Sequence, residues 1–295
     1  MRRSPRDGGT QVDDGVTGMV RTAIVTGAWG PAQELAARVA SRLRADGWAI
    51  RATGPQALDD GDGSGEDPRL VGHVVGDLRD EAFAASLFDG LSTGGRTVVV
   101  HLAPLVPVAD VAYGHQPAPL VEALDIATRG TYVLYKAAIA AGVGEAVQAS
   151  SLSSMDAYAD DLEVTEQWRP RPAPTAQDLA PHLCEMVGIE FTRDPLVERP
   201  LAITCVRFAT IIDDVSEGEA PVPVDGRSMR VEDAAAAVIR AIAVRESDDR
   251  RIDRGHRWRL LHVASGAADA RYTSALAGRA IGDAPAAAGG SQRSE

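Results

Sequence analysis

Few short patterns in this chain are equipped for chemistry. Val25-Thr26-Gly27-Ala28-Trp29-Gly30 joins a β-branched run to a helical pattern. A glycine-rich turn in that place offers backbone N–H groups at a helix start to an anionic phosphate. Ser150-Ser151-Leu152-Ser153-Ser154 supplies hydroxyls, but no Gly-x-Ser-x-Gly elbow surrounds them, so nothing marks them as hydrolase nucleophiles. The six histidines include no His-x-His or His-Glu-x-x-His spacing, which leaves metal catalysis without a pattern. His182 is the one side chain in its segment that titrates near neutrality. It reads either as a solvated surface imidazole or as a proton carrier. Cys184 and Cys205 lack Cys-x-x-Cys context, so neither zinc nor a disulfide framework is expected, and a reducing, cytoplasmic compartment is.

These residues need a scaffold, and the hydrophobic pattern supplies one. Strands are expected at 22–26, 48–53, 71–75, 97–102, 146–150, 201–208 and 260–264, and helices at 31–45, 120–141, 231–244 and 270–281. In the first helix Leu35, Val39 and Leu43 recur every four residues, with Pro31 in the first turn and Gly47 closing the end. Alternating strands and helices predict an α/β fold with a doubly wound parallel sheet, Rossmann-like, and a small C-terminal substrate lobe. The expected organisation is a disordered leader (1–20), a nucleotide-binding domain (21–200), a C-terminal part that completes the sheet and the lobe (201–283), and a disordered tail (284–295). The 30 Lys+Arg against 42 Asp+Glu, with 4% aromatic residues, argue against a nucleic-acid surface. No apolar run is long enough to span a membrane.

The motifs occur in a telling order. Val25-Thr26-Gly27-Ala28-Trp29-Gly30 is followed by Gly76-Asp77-Leu78-Arg79-Asp80, then Val98-Val99-Val100-His101-Leu102-Ala103 and Gly130-Thr131-Tyr132. After them come a strand ending Ala149-Ser150-Ser151, then Val206-Arg207-Phe208, and Val231-Glu232-Asp233-Ala234. Over residues 21–283 this resembles the extended short-chain dehydrogenase/reductase group, which includes NAD-dependent epimerases and dehydratases. The resemblance implies NAD or NADP, with Gly27, Trp29 and Gly30 against the pyrophosphate, Asp77 and Leu78 near the adenine, and Leu102 and Ala103 along the nicotinamide half.

The departures from that pattern matter as much. Alignment on Glu185 puts Gln177 and Pro181 at the family's catalytic Tyr and Lys, alignment on Ser150-Ser151 puts Leu152 at its Ser/Thr, and alignment on Gly130-Thr131 puts Ala127 at its Asn. The one literal Tyr-x-x-x-Lys, Tyr132 to Lys136, falls in a helix that packs on the sheet in the family. Gln33 stands at the third glycine position, and no carboxylate ends the second strand. The alignment brings Ser151, Tyr158 and His182 to the cleft as candidate catalytic residues, with Tyr113, His115, Gln177 and Asp178 as substrate-lining ones. His101 reads as a satisfied core histidine, and Pro181 and Gly188 are expected to shorten or kink their helix.

The expected function is an enzyme acting on a small molecule without the redox tetrad, by acid/base or positioning catalysis such as isomerisation, cyclisation or elimination. Alternatives are an NAD(P)-dependent epimerase or reductase with a relocated proton donor, and a non-catalytic ligand-binding or partner subunit. The expected assembly is a monomer or homodimer.

Overall fold

The computed structural model describes residues 20–28, 32–55, 68–92, 94–105, 120–193, 201–212, 227–246, 257–264 and 271–272. The tail, all of the leader but Val20, Trp29, Gly30, Tyr113 and His115, and the helix expected at 270–281 apart from Arg271 and Tyr272 fall outside that set; Tyr272 forms a β-bridge with Val164 instead of a helical turn.

Seven parallel strands form the central sheet in the order β3-β2-β1-β4-β5-β6-β9. They are β1 (Arg21–Thr26), β2 (Ala49–Gly54), β3 (Val74–Val75), β4 (Arg96–His101), β5 (Glu145–Ser151), β6 (Ala202–Phe208) and β9 (Trp258–Val263). A separate two-stranded sheet pairs β7 (Thr210–Ile212) with β8 (Ser228–Arg230). The expected doubly wound α/β fold is therefore present.

The two faces of the sheet explain the sequence pattern. Val98 and Val100 of β4 pack in one core with Leu35, Val39 and Leu43 of helix α1 (Ala32–Ala45) and with Val238 and Ala241 of α6 (Val231–Glu246). Val99 points the other way, into a second core with Leu134, Tyr135 and Ala138 of α4 (Thr131–Ala140). A strand buried on both faces reads as a continuous apolar run rather than an alternating one. Each fully buried Leu or Val of these cores contributes about 1.5–3 kcal/mol relative to exposure.

Three expectations need correction. The strand expected at 71–75 shrinks to Val74–Val75, because residues 71 and 72 turn, with Gly72 at φ 84°. The helix expected at 120–141 is α3 (Leu120–Asp125), a π-helical turn (Ile126–Gly130) and α4, in which the Thr131 N–H reaches back to the Ile126 carbonyl. The segment with Pro181 and Gly188 is not shortened: α5 runs continuously from Ala176 to Arg193.

Local chemistry accounts for α5. Thr175 caps its start, accepting from the Asp178 N–H at 3.3 Å, while Asp178 Oδ2 accepts from the Ala173 N–H at 3.3 Å. That is the reciprocal logic of a capping box. Pro181 gives up one hydrogen bond early in the helix, a cost of about 3 kcal/mol in isolation, and its burial with Ala180 and Cys184 against the neighbouring helices and β5 offsets it. Gly188 is required by close approach, since a Cβ there would lie 2.5 Å from Gln148 Oε1 and 2.9 Å from the Trp258 ring.

At the amino-terminal end of the sheet, away from the cleft, Trp48 is 5% exposed between Arg21 and Arg96, whose guanidinium carbons lie 5.2 and 5.3 Å from its ring centroid. Among the described residues no helix is long and apolar enough to cross a membrane.

Candidate functional site

The strand order reverses between β1 and β4, and in open α/β sheets a ligand cleft opens beyond the carboxyl ends of the strands at such a point. Gly27 stands there, directly after β1, at φ 84°. A Cβ on it would come within 2.7 Å of both the Ala103 nitrogen and the Leu102 carbonyl carbon. The crest of β1 thus lies against the backbone of Leu102-Ala103, and only glycine fits. Gly27→Ala adds positive-φ strain of about 1–2 kcal/mol to a collision with backbone that cannot swing aside. A fall of at least that size in unfolding free energy is expected in denaturant titration.

Beside this crest a narrow slot is lined by Gly27, Gly54, Gly76, Asp77, Leu78 and Ile126, among others. Asp77 does not stand alone in it. Arg79 donates from Nε to both carboxylate oxygens at 2.9 Å, from Nη2 at 2.7 Å and from its own backbone N–H at 2.9 Å. Arg79 thereby holds the Asp77 carboxyl below the usual carboxylate range. At the end of β2, Thr53 lines the slot but donates its hydroxyl proton to the Val74 carbonyl, and Arg51 donates to the Leu87 carbonyl.

Behind the crest, His101 is fully buried between Thr26 Oγ1 (2.7 Å from Nδ1) and Thr131 Oγ1 (2.9 Å from Nε2). Thr131 spends its proton on the Ala127 carbonyl at 2.7 Å. His101 must therefore donate from Nε2 and accept at Nδ1 from Thr26. Burial pushes its pKa down to about 3, so the ring is a neutral link between β1, β4 and the start of α4, as expected of a core histidine.

The β5–β6 side of the cleft rests on a buried ion pair. Glu185 of α5 receives Arg207 of β6 bidentately, Nε to Oε1 at 2.7 Å and Nη2 to Oε2 at 2.6 Å, and also the Ser150 hydroxyl at 2.5 Å. His262 of β9 lies 3.3 Å from Arg207 Nη1 through Nε2, which must accept because the guanidinium can only donate. Residue reading by itself passed over this network. Its signal was the charge of Arg207 within a strand that carries no other ionisable side chain but Cys205.

Above the network lie the candidate catalytic residues. Ser151 Oγ accepts from the Ser153 N–H and donates to Ser153 Oγ at 2.8 Å, capping the short 3-10 turn Leu152–Met155. Tyr158 donates its one hydroxyl proton to the Arg169 carbonyl at 2.7 Å, with Arg171 4.4 Å above its ring and Trp168 edge-on at 4.8 Å. Both hydroxyls thus serve local structure in this arrangement, and Asp178, expected to line the substrate, is engaged in capping α5. Gln177, half-buried, lies on the first turn of α5 with no titratable group to offer.

His182 differs. It is half-buried, its Nδ1 has no hydrogen-bond partner, and it sits one turn before Glu185. Burial lowers its pKa, with Arg207 and Arg169 acting in the same direction and Glu185 opposing. At pH 7 it is a neutral imidazole able to take a proton. Tyr132 and Lys136, by contrast, are both exposed on α4, and Lys136 pairs with Glu81 at 3.7 Å. No cluster of His, Cys, Asp and Glu suited to a metal ion occurs among the described residues.

Solved structures that share this fold include UDP-sugar epimerases and uronate dehydrogenases. The chain aligns with the glucuronic acid dehydrogenase of Chromohalobacter salexigens at a TM-score of 0.62 and 17% identity, covering 88% of this chain and 82% of that one. A structure of MoeE5 with UDP-glucuronic acid and NAD matches at 0.60 and 21% identity, over 88% and 92%. The UDP-glucose 4-epimerase of Thermotoga maritima, solved with UDP-glucose, matches at 0.58 and 18% identity, over 83% and 77%. At these identities the likeness establishes the fold. No protein-family model and no curated protein sequence matches the chain.

Proposed function

We propose that the chain is an enzyme that binds a small polar molecule in the cleft over β4, β5 and α5, and that His182 moves a proton there in an isomerase- or lyase-type step. One observation carries the reading: on α5, where the sequence resemblance puts a Tyr and a Lys, stand Gln177 and Pro181, and the neighbouring His182 is a half-buried, neutral imidazole. Arg169 and Arg171, both exposed on the loop before α5, favour an anionic substrate. The Glu185–Arg207 pair fixes α5 against β6 and so holds His182 in place.

The crest is the place where a nucleotide would lie. Backbone groups of Gly27, Leu102 and Ala103, packed against one another, border the space a dinucleotide would use, with Asp77 and Leu78 at its base end. Bound NAD or NADP would supply hydride chemistry. This second reading, an NAD(P)-dependent epimerase or reductase with a relocated proton donor, draws on neighbours solved with NAD.

The test is a screen of uronates and sugar nucleotides for turnover with and without NAD or NADP. Under the first reading product forms without a change in nicotinamide absorbance, and His182→Ala loses about 10²–10⁴-fold in rate with folding intact. Because the imidazole must be deprotonated to act, activity is retained above pH 6.5 and falls as pH drops through the lowered His182 pKa. Turnover that consumes the nicotinamide, or a His182→Ala rate equal to the parent's, rejects that reading.

A further inference from the structure

We propose that Arg79 sets nucleotide affinity, acting as the movable wall of the slot: it must turn from Asp77 toward Asp125 and Glu122 before a base edge can reach the Asp77 carboxylate. The inference rests on the reading that the crest holds a nucleotide.

Three observations carry it. The slot holds about 20 Å³, room for about one water molecule, so a base enters only if a wall moves. Its other described walls have little to move. Gly27, Gly54, Gly76 and Ala103 present backbone or a methyl group, Thr53 is buried with its hydroxyl on the Val74 carbonyl, Pro55 offers a rigid ring, and Leu78 and Ile126 are 7% and 8% exposed in the core. Arg79 is the only long charged side chain among the described lining residues, and it is 26% exposed.

Arg79 also has somewhere to go. A groove of about 570 Å³ opens beside it, bordered by Asp80, Glu81, Asp125 and Arg129. On that side Asp125 already lies 3.3 Å from Nη1 and Glu122 3.7 Å from Nη2. Giving up Asp77 while keeping Asp125 and Glu122 costs little, since partly exposed ion pairs contribute about 0–1 kcal/mol. Asp77 would then be free to accept from an amino group of the base, with Arg79 parked on α3.

Two variants with opposite expectations test this, using ADP and NAD as probes in isothermal titration and circular dichroism to confirm folding. Arg79→Met removes the ionic wall, and about tenfold tighter binding of both probes is expected. Asp125→Asn combined with Glu122→Gln removes the outer anchor, and several-fold weaker binding is expected. Wild-type binding that Arg79→Met leaves unchanged overturns the inference and leaves the nucleotide reading standing. Weaker binding by Arg79→Met makes Arg79 a direct nucleotide contact and also overturns it. Folded proteins that bind neither probe in any form reject the nucleotide reading, and the inference with it.

Discussion

Arg207→Met is expected to lower the unfolding free energy by about 3–5 kcal/mol, because it leaves a buried carboxylate without its counter-ion. Glu185 and Arg207 side chains are 2% and 3% exposed, and each satisfies the other through two short hydrogen bonds. After the substitution Glu185 keeps only the Ser150 hydroxyl. Glu185→Met should cost a similar amount by stranding the guanidinium beside His262. The double variant Glu185→Met with Arg207→Met should regain most of the loss, since replacing both members by apolar side chains removes the desolvation penalty of each. Guanidinium chloride titrations of the four proteins check this. Additive losses in the double variant would mean that the pair's worth is packing rather than charge.

Acid is expected to unfold this protein well above the range where carboxylates protonate. His101 and His262 are both held down to about 3 by burial, with Arg207 adding to the effect on His262. In the unfolded chain each returns to about 6.5. A group whose folded pKa is depressed contributes stability above its unfolded pKa and loses it as pH falls. The full contribution is present above pH 6.5 and drains away between 6.5 and 3, at about 1.4 kcal/mol per pH unit for each histidine. His73 and His182, lowered in the same direction, add to the slope. Thermal midpoints measured from pH 8 to pH 4.5 should drop steeply below 6.5, and His101→Asn should flatten that slope by about one proton while lowering the midpoint at pH 8. A midpoint independent of pH over this window would contradict the buried neutral state of both rings.

The fold was legible because its signals are local. The Val98–Val100 run marks a strand covered on both faces, and the stripe of Leu35, Val39 and Leu43 gives the partner helix its buried side. Helix α5 was misread because proline and glycine are judged by local propensity, whereas tertiary contacts decide here: Gly188 is demanded by Gln148 and Trp258 across the interface. The site was legible only in part. Glu185 and Asp77 were found by their place in motifs, but their partners come from elsewhere in the chain or by side-chain geometry that spacing does not reveal. Arg207 is 22 residues from Glu185 in sequence. Tyr158 and Ser151 looked chemically able by type, and only geometry tells that their hydroxyls are engaged with Arg169 and Ser153.

Trp48, held between Arg21 and Arg96 at the far end of the sheet, has a consequence for spectroscopy. Its indole is shielded from solvent and distant from the cleft, so its emission should be blue and indifferent to ligands, a built-in intensity standard. Trp168, half-buried against Tyr158 on the cleft loop, has the opposite properties. The Trp168 share of any fluorescence change on titration should therefore report on that loop, and a Trp168→Phe variant should silence that share while the Trp48 band persists.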